Sequence, residues 1–398
     1  NNVGLGNSAL AANTTGAGNV AVGRFALQLN TTANYNVAVG YQALDASTTA
    51  TLCTALGKGA LSANTASYNT AVGAESLTTN TTGQQNASLG YRSLEANTTG
   101  DNSTGIGYYA LRANTTADNN TAVGAYALVA NTTGAHNSAM GAYALNSNTT
   151  ADDNTAVGYD SLRQSTGEGN TAVGRSALRT NSTGTGCVGI GVSALRVFTG
   201  SENVAVGYHA MYNSSTGGDS VAIGYKALYT NTTGNVMVAI GDKALYANTD
   251  GWGNVAVGYQ ALLDNTSGDG NVAMGYKALF ENTTADYNTA VGYSALMDNT
   301  TGTDNVAVGY KALENNTAGA RNTAVGDSAL KDQNANDNTA IGYGAATAIT
   351  TGDYNTAVGK SALETATTAV KNTAVGTNAL KDSTADSNVA VGYDAAKA

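Results

Sequence analysis

The sequence repeats itself about every 17 residues, and a period this short excludes most repeat folds. A glycine following an aliphatic residue recurs in 24 copies from Gly6 to Gly392; 18 of the 23 intervals are 17 residues and five are 16. The shorter intervals lose a residue from the Asn-Thr-Thr-Gly stretch, as in YDSLRQSTGEGNTAVG, which marks that stretch as a loop. Stacked helix pairs need roughly 34 residues per unit. A 17-residue rung instead holds two short strands and two turns, and stacked copies give parallel sheets along a solenoid axis. The chain is therefore expected to be all-β, a parallel β-solenoid (β-roll) of about 24 rungs. Residues 1–398 read as a single continuous repeat array with no separate globular domain. The start at Asn1 without Met reads as a processed chain or a fragment.

The consensus is G-Y-x-A-L-x-x-N-T-T-G-x-x-N-T-A-V-G. NTAVGY reads as one strand and, less clearly, the xALxx region as a second. NTTG reads as a turn whose glycine supplies φ > 0. The residue before each motif glycine is aliphatic, as in Val22, Ile106 and Met140, and the fourth after it is Leu in 21 copies. The aliphatic and the Leu are expected to form continuous inner columns. Strict alternation fails across the glycine, which predicts a bend there. The Asn four residues before the glycine, present in 19 copies, predicts a ladder of stacked amides. The residue before the aliphatic is always Ala, Ser or Gly, and the residue before the Leu always Ala or Ser. Columns this small imply a close neighbour, either the opposite side of the thin roll or another chain.

Composition fits this reading and no globular one. With no Pro, one Trp, three Phe and 49 Gly, the chain lacks the side chains for several ordinary cores. A net charge of −10 disfavours nucleic acid as a partner. No run approaches the ~18 apolar residues of a membrane span.

Groups that carry chemistry should break the repeat, and few do. His136 and His209 sit at different positions of different copies, without metal-ligand spacing. Cys53 and Cys187 both replace the near-constant Asn. They lie eight rungs apart, roughly 38 Å at ~4.8 Å per rung, and a disulfide needs Cα atoms within about 7 Å. They read as buried, inert thiols. Acidic residues gather just before the Asn, including Asp101, Asp118, Asp269, Asp286, Asp304, Asp337 and Asp353. A solvated edge that resists aggregation fits them better than a divalent-cation stripe. No catalytic, cofactor or metal site is expected, and the chain does not read as an enzyme.

Two columns are candidate surface sites. Tyr follows the motif glycine in 12 copies, among them Tyr208, Tyr225, Tyr259, Tyr276, Tyr293 and Tyr310. Such a ladder serves cross-rung stabilisation or inter-chain contact, or offers an aromatic face to glycans or a partner. Glycosylation sequons recur at Asn80, Asn97, Asn114, Asn131, Asn148, Asn231, Asn282 and Asn299, on the expected outer turn. Turn chemistry accounts for the same residues.

NVAVGYQAL, NTAVGYSAL and DSVAIGYKAL resemble the SVAIG-type head repeats of trimeric autotransporter adhesins. They look closer still to the NTAVGYxAL arrays of tail-fibre-domain proteins, and the resemblance covers the whole chain. It implies a left-handed roll, three chains side by side, and a role in surface attachment. The adhesin repeat is shorter and has no constant Leu, so the trimer rests on the resemblance alone. The expected function is an extracellular structural fibre or stalk, on a cell surface or virion, with itself and glycans or a cell surface as candidate partners. A self-assembling filament stacked end to end is the alternative. An ice- or mineral-binding surface ranks lower, because the paired Thr residues fall in the loop.

Overall fold

The computed structural model describes residues 1–397, as one unit over Asn1–Ser201 and a second from Glu202 onward. The protein is all-β. Twelve three-residue strands run from Val3–Leu5 to Val188–Ile190 in the first unit, and twelve from Val204–Val206 to Val389–Val391 in the second. Each pairs in parallel with the equivalent residues one repeat on, as in Val255↔Val272, Ala256↔Ala273 and Val257↔Met274. The 16-residue intervals keep this register, with Thr155 opposite Thr171. Every sequence column is thus a column in space, and each unit is a parallel β-solenoid.

The rung differs from expectation in three respects. First, it holds one strand, not two. The Ala-Leu segment is a turn in which left-handed residues recur, such as Lys277 (φ 53) and Leu279 (φ 51), and a third, Tyr287 (φ 56), precedes the next strand. This conformation costs an L-residue roughly 1–2 kcal/mol. Here it aims amides at neighbouring rungs: Lys277 N donates to Tyr259 O at 3.0 Å, Leu279 N to Ala295 O at 3.1 Å and Tyr287 N to Asp269 O at 2.9 Å. Second, the glycine of the Asn-Thr-Thr-Gly turn, Gly302 for example, has no left-handed φ, and Ala33 or Ala285 fills the same place elsewhere. The expected bend at the motif glycine is present, with Gly309 at φ +138.

Third, the core is smaller than expected. The Leu column is inside, and Leu262, Leu279 and Leu296 are fully buried. So are the two small columns, as at Ala273 and Ala278. The aliphatic column is not: Met274 is 44% exposed and Leu89 52%. Of each strand's three alternating side chains it is the middle one that is buried, as in Val272–Met274, and the thin rung leaves it room for little more than Ala.

Polar ladders fill the remaining interior. Asn288, four residues before its motif glycine, donates from Nδ2 to Gly302 O at 2.9 Å, and its Oδ1 accepts Asn305 N at 3.0 Å. This ladder joins side chain mainly to backbone, with amide-to-amide bonds in some rungs, as where Asn305 Nδ2 donates to Asn288 Oδ1 at 3.1 Å. A second amide-on-amide ladder is formed by the sequon asparagines. Asn282 Nδ2 donates to Asn265 Oδ1 at 2.8 Å and Ala285 O at 3.1 Å, and its Oδ1 accepts from Asn299 Nδ2 at 3.0 Å.

Candidate interaction surface

The burial of that second ladder corrects the placement of the sequons. Asn80, Asn97, Asn114, Asn131, Asn148, Asn231, Asn282 and Asn299 are all buried, not on an outer turn. Their amides are committed between rungs, as where Asn97 Nδ2 reaches Asn80 Oδ1 at 2.9 Å and Asn131 reaches Asn114 at 2.9 Å. A glycan on Nδ2 would have to displace the next rung, so the folded solenoid has no room for one. Where the column changes residue the ladder stops: Oδ1 of Asn30, Asn148 and Asn316 has no partner beside Ser47, Ser165 and Gln333.

The acidic loop residues do structural work of their own. Asp286 Oδ1 accepts Asp269 N at 2.8 Å, and Asp118 Oδ1 accepts Asp101 N at 2.7 Å, each closing a backbone donor of the preceding rung. Asp337 instead binds Arg321 Nε at 2.7 Å, and this hydrogen bond holds its carboxyl below the usual range. Among the described residues no three His, Cys, Asp or Glu side chains are grouped to hold a metal ion. Cys53 and Cys187 are buried thiols that form no disulfide, and burial pushes the Cys53 thiol up. His136 lies exposed, its Nδ1 3.6 Å from Asp153.

The tyrosines form true stacks. Tyr259–Tyr276, Tyr276–Tyr293 and Tyr293–Tyr310 have ring centroids 5.2, 4.8 and 5.4 Å apart and planes within 9°, 7° and 23°. Tyr208–Tyr225 is a separate pair at 5.6 Å, with Asp242 in the next slot. In a parallel stack each ring covers its neighbour's face, so edges and hydroxyls point outward. That geometry supports rung-to-rung cohesion more than a platform for sugar rings. A second stack, Tyr212–Tyr229–Tyr246, has centroids 5.4 and 5.1 Å apart and was legible only as another Tyr recurring at the repeat interval. Between the two stacks Lys226 Nζ lies 5.3 Å from the Tyr225 centroid and 5.4 Å from that of Tyr229, and a hydrogen bond to Tyr225 raises its pKa.

The outward strand face is the larger feature. Its two columns are the aliphatic one and the Thr or Val two residues earlier. In the first unit Thr54, Thr70, Thr104, Thr121, Thr155 and Thr171 alternate along their strands with Leu56, Val72, Ile106, Val123, Val157 and Val173. Thr therefore does line a strand, which the reading of paired loop threonines missed. Twelve rungs at ~4.8 Å and three residues at ~3.3 Å give each unit a strip of roughly 550 Å². Its aliphatic column is continuous from rung to rung, while the column beside it in the first unit is half Thr.

Compared with known proteins, the chain matches no family model and no curated sequence. No helix among the described residues is long and apolar enough to cross a membrane.

Proposed function

We propose that the chain is the repetitive shaft of an extracellular fibre of the adhesin or tail-fibre type, non-enzymatic, packed side by side with copies of itself. The observation that carries this reading is the outward aliphatic column. In all 24 copies it holds only Val, Ile, Leu or Met, although side chains such as Ile223 and Met274 are 39% and 44% exposed in the single chain. A solvated strand position would tolerate Thr, Lys or Glu in some copies. Three chains is the number implied by the resemblance to trimeric adhesin heads. The test is Met274→Lys together with Ile223→Lys. Both side chains point out of the rung, so association should weaken while the melting temperature of the single solenoid holds. Association unaffected by both charges would remove the support for this face.

A second reading has its own support. The Thr-x-aliphatic rows form a regular array at rung spacing, the kind of surface that orders water or a mineral lattice. Freezing hysteresis of the purified chain separates the two: none is expected for a fibre shaft.

A further inference from the structure

We propose that Tyr108, Tyr109 and Tyr126, with the groove beside Glu95 and Arg112, form a binding site for a neutral oligosaccharide lying along the rungs. The proposal rests on the surface-attachment reading and names a ligand class for it.

Tyr holds the first place after the motif glycine in 12 copies and the second place in three, at Tyr109, Tyr126 and Tyr143. Only the copy that starts at Gly107 carries Tyr in both places, as Tyr108 and Tyr109. Two adjacent rings cannot join one stack, and here the parallel order breaks. The centroids of Tyr108 and Tyr109 are 4.2 Å apart with planes at 62°, and Tyr126 meets these two rings at 70° and 48°. In the Tyr259–Tyr310 ladder an inner ring such as Tyr276 has a parallel neighbour on each side, at 5.2 and 4.8 Å. Tyr108 has one near-parallel neighbour, Tyr91 at 22°, and Tyr126 has one, Tyr143 at 5°. Tyr109 meets Tyr91, Tyr108 and Tyr126 only at an angle. Beyond Tyr108 its own column continues with Ala125 and Ala142, so no ring follows it there, and Tyr108 is 44% exposed. An aromatic face of this kind takes the C–H face of a sugar ring, and the phenol at its edge stays wet.

A groove of about 500 Å³ adjoins these rings, lined by Thr79, Glu95, Ala96, Arg112, Ala113 and Val129. That is within the usual range of ligand sites. Arg112 joins groove to rings, its Cζ lying 4.8 Å from the Tyr109 centroid. The other lining side chains are Ala, Thr and Val, so the charged polar groups of the groove are one carboxylate and one guanidinium.

The charges decide the ligand class. Arg112 Nε lies 2.9 Å from Glu95, Arg92 Nε 2.7 Å from Glu75 and 3.5 Å from Glu95, and Lys58 Nζ 3.4 Å from Glu75. Signs alternate along the row and each charge meets its opposite, so no excess of one sign selects an acid or a base. What remains is hydrogen-bonding capacity. A carboxylate accepts from hydroxyls, and a guanidinium has five N–H donors, of which Arg112 commits Nε to Glu95. Aromatic faces beside fixed donors and acceptors suit a neutral, hydroxyl-rich ligand. From Tyr91 to Tyr143 the rings cover three rung intervals, about 14 Å at ~4.8 Å each, which suits a short oligosaccharide better than a single sugar.

The test is titration calorimetry of the full chain with cellohexaose (β-linked glucose), maltohexaose (α-linked glucose), chitohexaose (N-acetylated) and a hyaluronan hexamer (acidic), at low salt and at ~0.15 M salt. At least one neutral hexasaccharide should bind, more tightly than hyaluronan and with an affinity that salt leaves unchanged. Tyr108→Leu should weaken that binding at least tenfold, while Tyr287→Leu, which removes an exposed ring elsewhere, should not. If Tyr108→Leu lowers the melting temperature, tyrosine iodination of the unaltered chain, mapped by mass spectrometry, serves instead. Bound hexasaccharide should then slow modification of Tyr108 and leave Tyr287 unaffected. Failure of all three neutral hexasaccharides to bind overturns the proposal. So does tighter binding of hyaluronan, equal loss in Tyr287→Leu, or equal protection of Tyr287. Electron micrographs of the same sample test the fibre reading separately, since a chain that binds sugar without forming fibres would sink that reading and leave the site standing.

Discussion

Replacing Gly309 with Ala should destabilise the second unit locally and strongly. Gly309 has φ +138, where an L-residue is strained whatever space surrounds it. Its added Cβ would also lie 2.5 Å from Gly326 O, 2.7 Å from Gly326 C and 3.3 Å from Asp327 N, all backbone atoms of the next rung. None can rotate away as a side-chain tip does, so the rungs must part. Backbone strain of this kind costs about 1–3 kcal/mol and forced overpacking another ~1–3 kcal/mol, giving roughly 2–6 kcal/mol in all. In a solenoid that cost falls on nearest-neighbour coupling. Hydrogen exchange should therefore speed up around residues 305–330 first, and the denaturant midpoint of the unit should drop. Gly253→Ala is the control. Its φ is +67, nothing lies within 4 Å of the added Cβ, and the same column takes Tyr287 and Asp304 at φ 56 and 59. It should cost only the roughly 1–2 kcal/mol of the left-handed conformation itself. If the two substitutions cost the same, the contact between motif glycines does not set the rung spacing and the argument fails.

Leu262→Asp places a charge in the fully buried Leu column and should cost several kcal/mol, read as a lower denaturant midpoint. Asn282→Ala leaves Asn265 Oδ1 and Asn299 Nδ2 without their partner, at ~1–3 kcal/mol for each orphaned group; an unchanged midpoint would mean the ladder contributes little. Burial first, then the charges of Glu281 and Glu314, raise the Asp298 pKa above its ordinary value of 3.8. The penalty for its ionised form is absent below that value and grows as pH rises through the raised one. Asp298→Asn should therefore raise the melting temperature at pH 7 and leave it unchanged at pH 3. Cys53 is buried with a raised thiol pKa, so it should resist a thiol reagent in the folded chain and react after denaturation.

The rung register was fully legible, because the motif glycine, the aliphatic residue before it and the two small columns keep their residue type through every copy. The buried Leu column followed from the same regularity. The orientation of the strand did not. In Val272–Met274 the sequence offers two aliphatic residues around one Ala, and size alone favours the larger ones inside. Alternation turns inward either both aliphatics or the Ala between them, and the thin rung admits the Ala. The left-handed Lys277 and Leu279 were hidden for a related reason: local preference opposes that conformation, and only hydrogen bonds to other rungs hold it. Asn282 carries the signature of an exposed turn and sequon, yet its amide is an interior fastener whose partners lie a repeat away. Among candidate surface residues, the Tyr259–Tyr310 ladder was visible as recurrence, but that its rings face one another required coordinates.

The claim that the outward aliphatic column is a packing surface for further copies is tested most directly by the solution mass of the intact chain. Sedimentation equilibrium across a wide concentration range should return an integral multiple of 39.8 kDa, with three copies the multiple implied by the adhesin resemblance, and Met274→Lys with Ile223→Lys should lower it. A stable, soluble species of 39.8 kDa at every concentration would contradict the account.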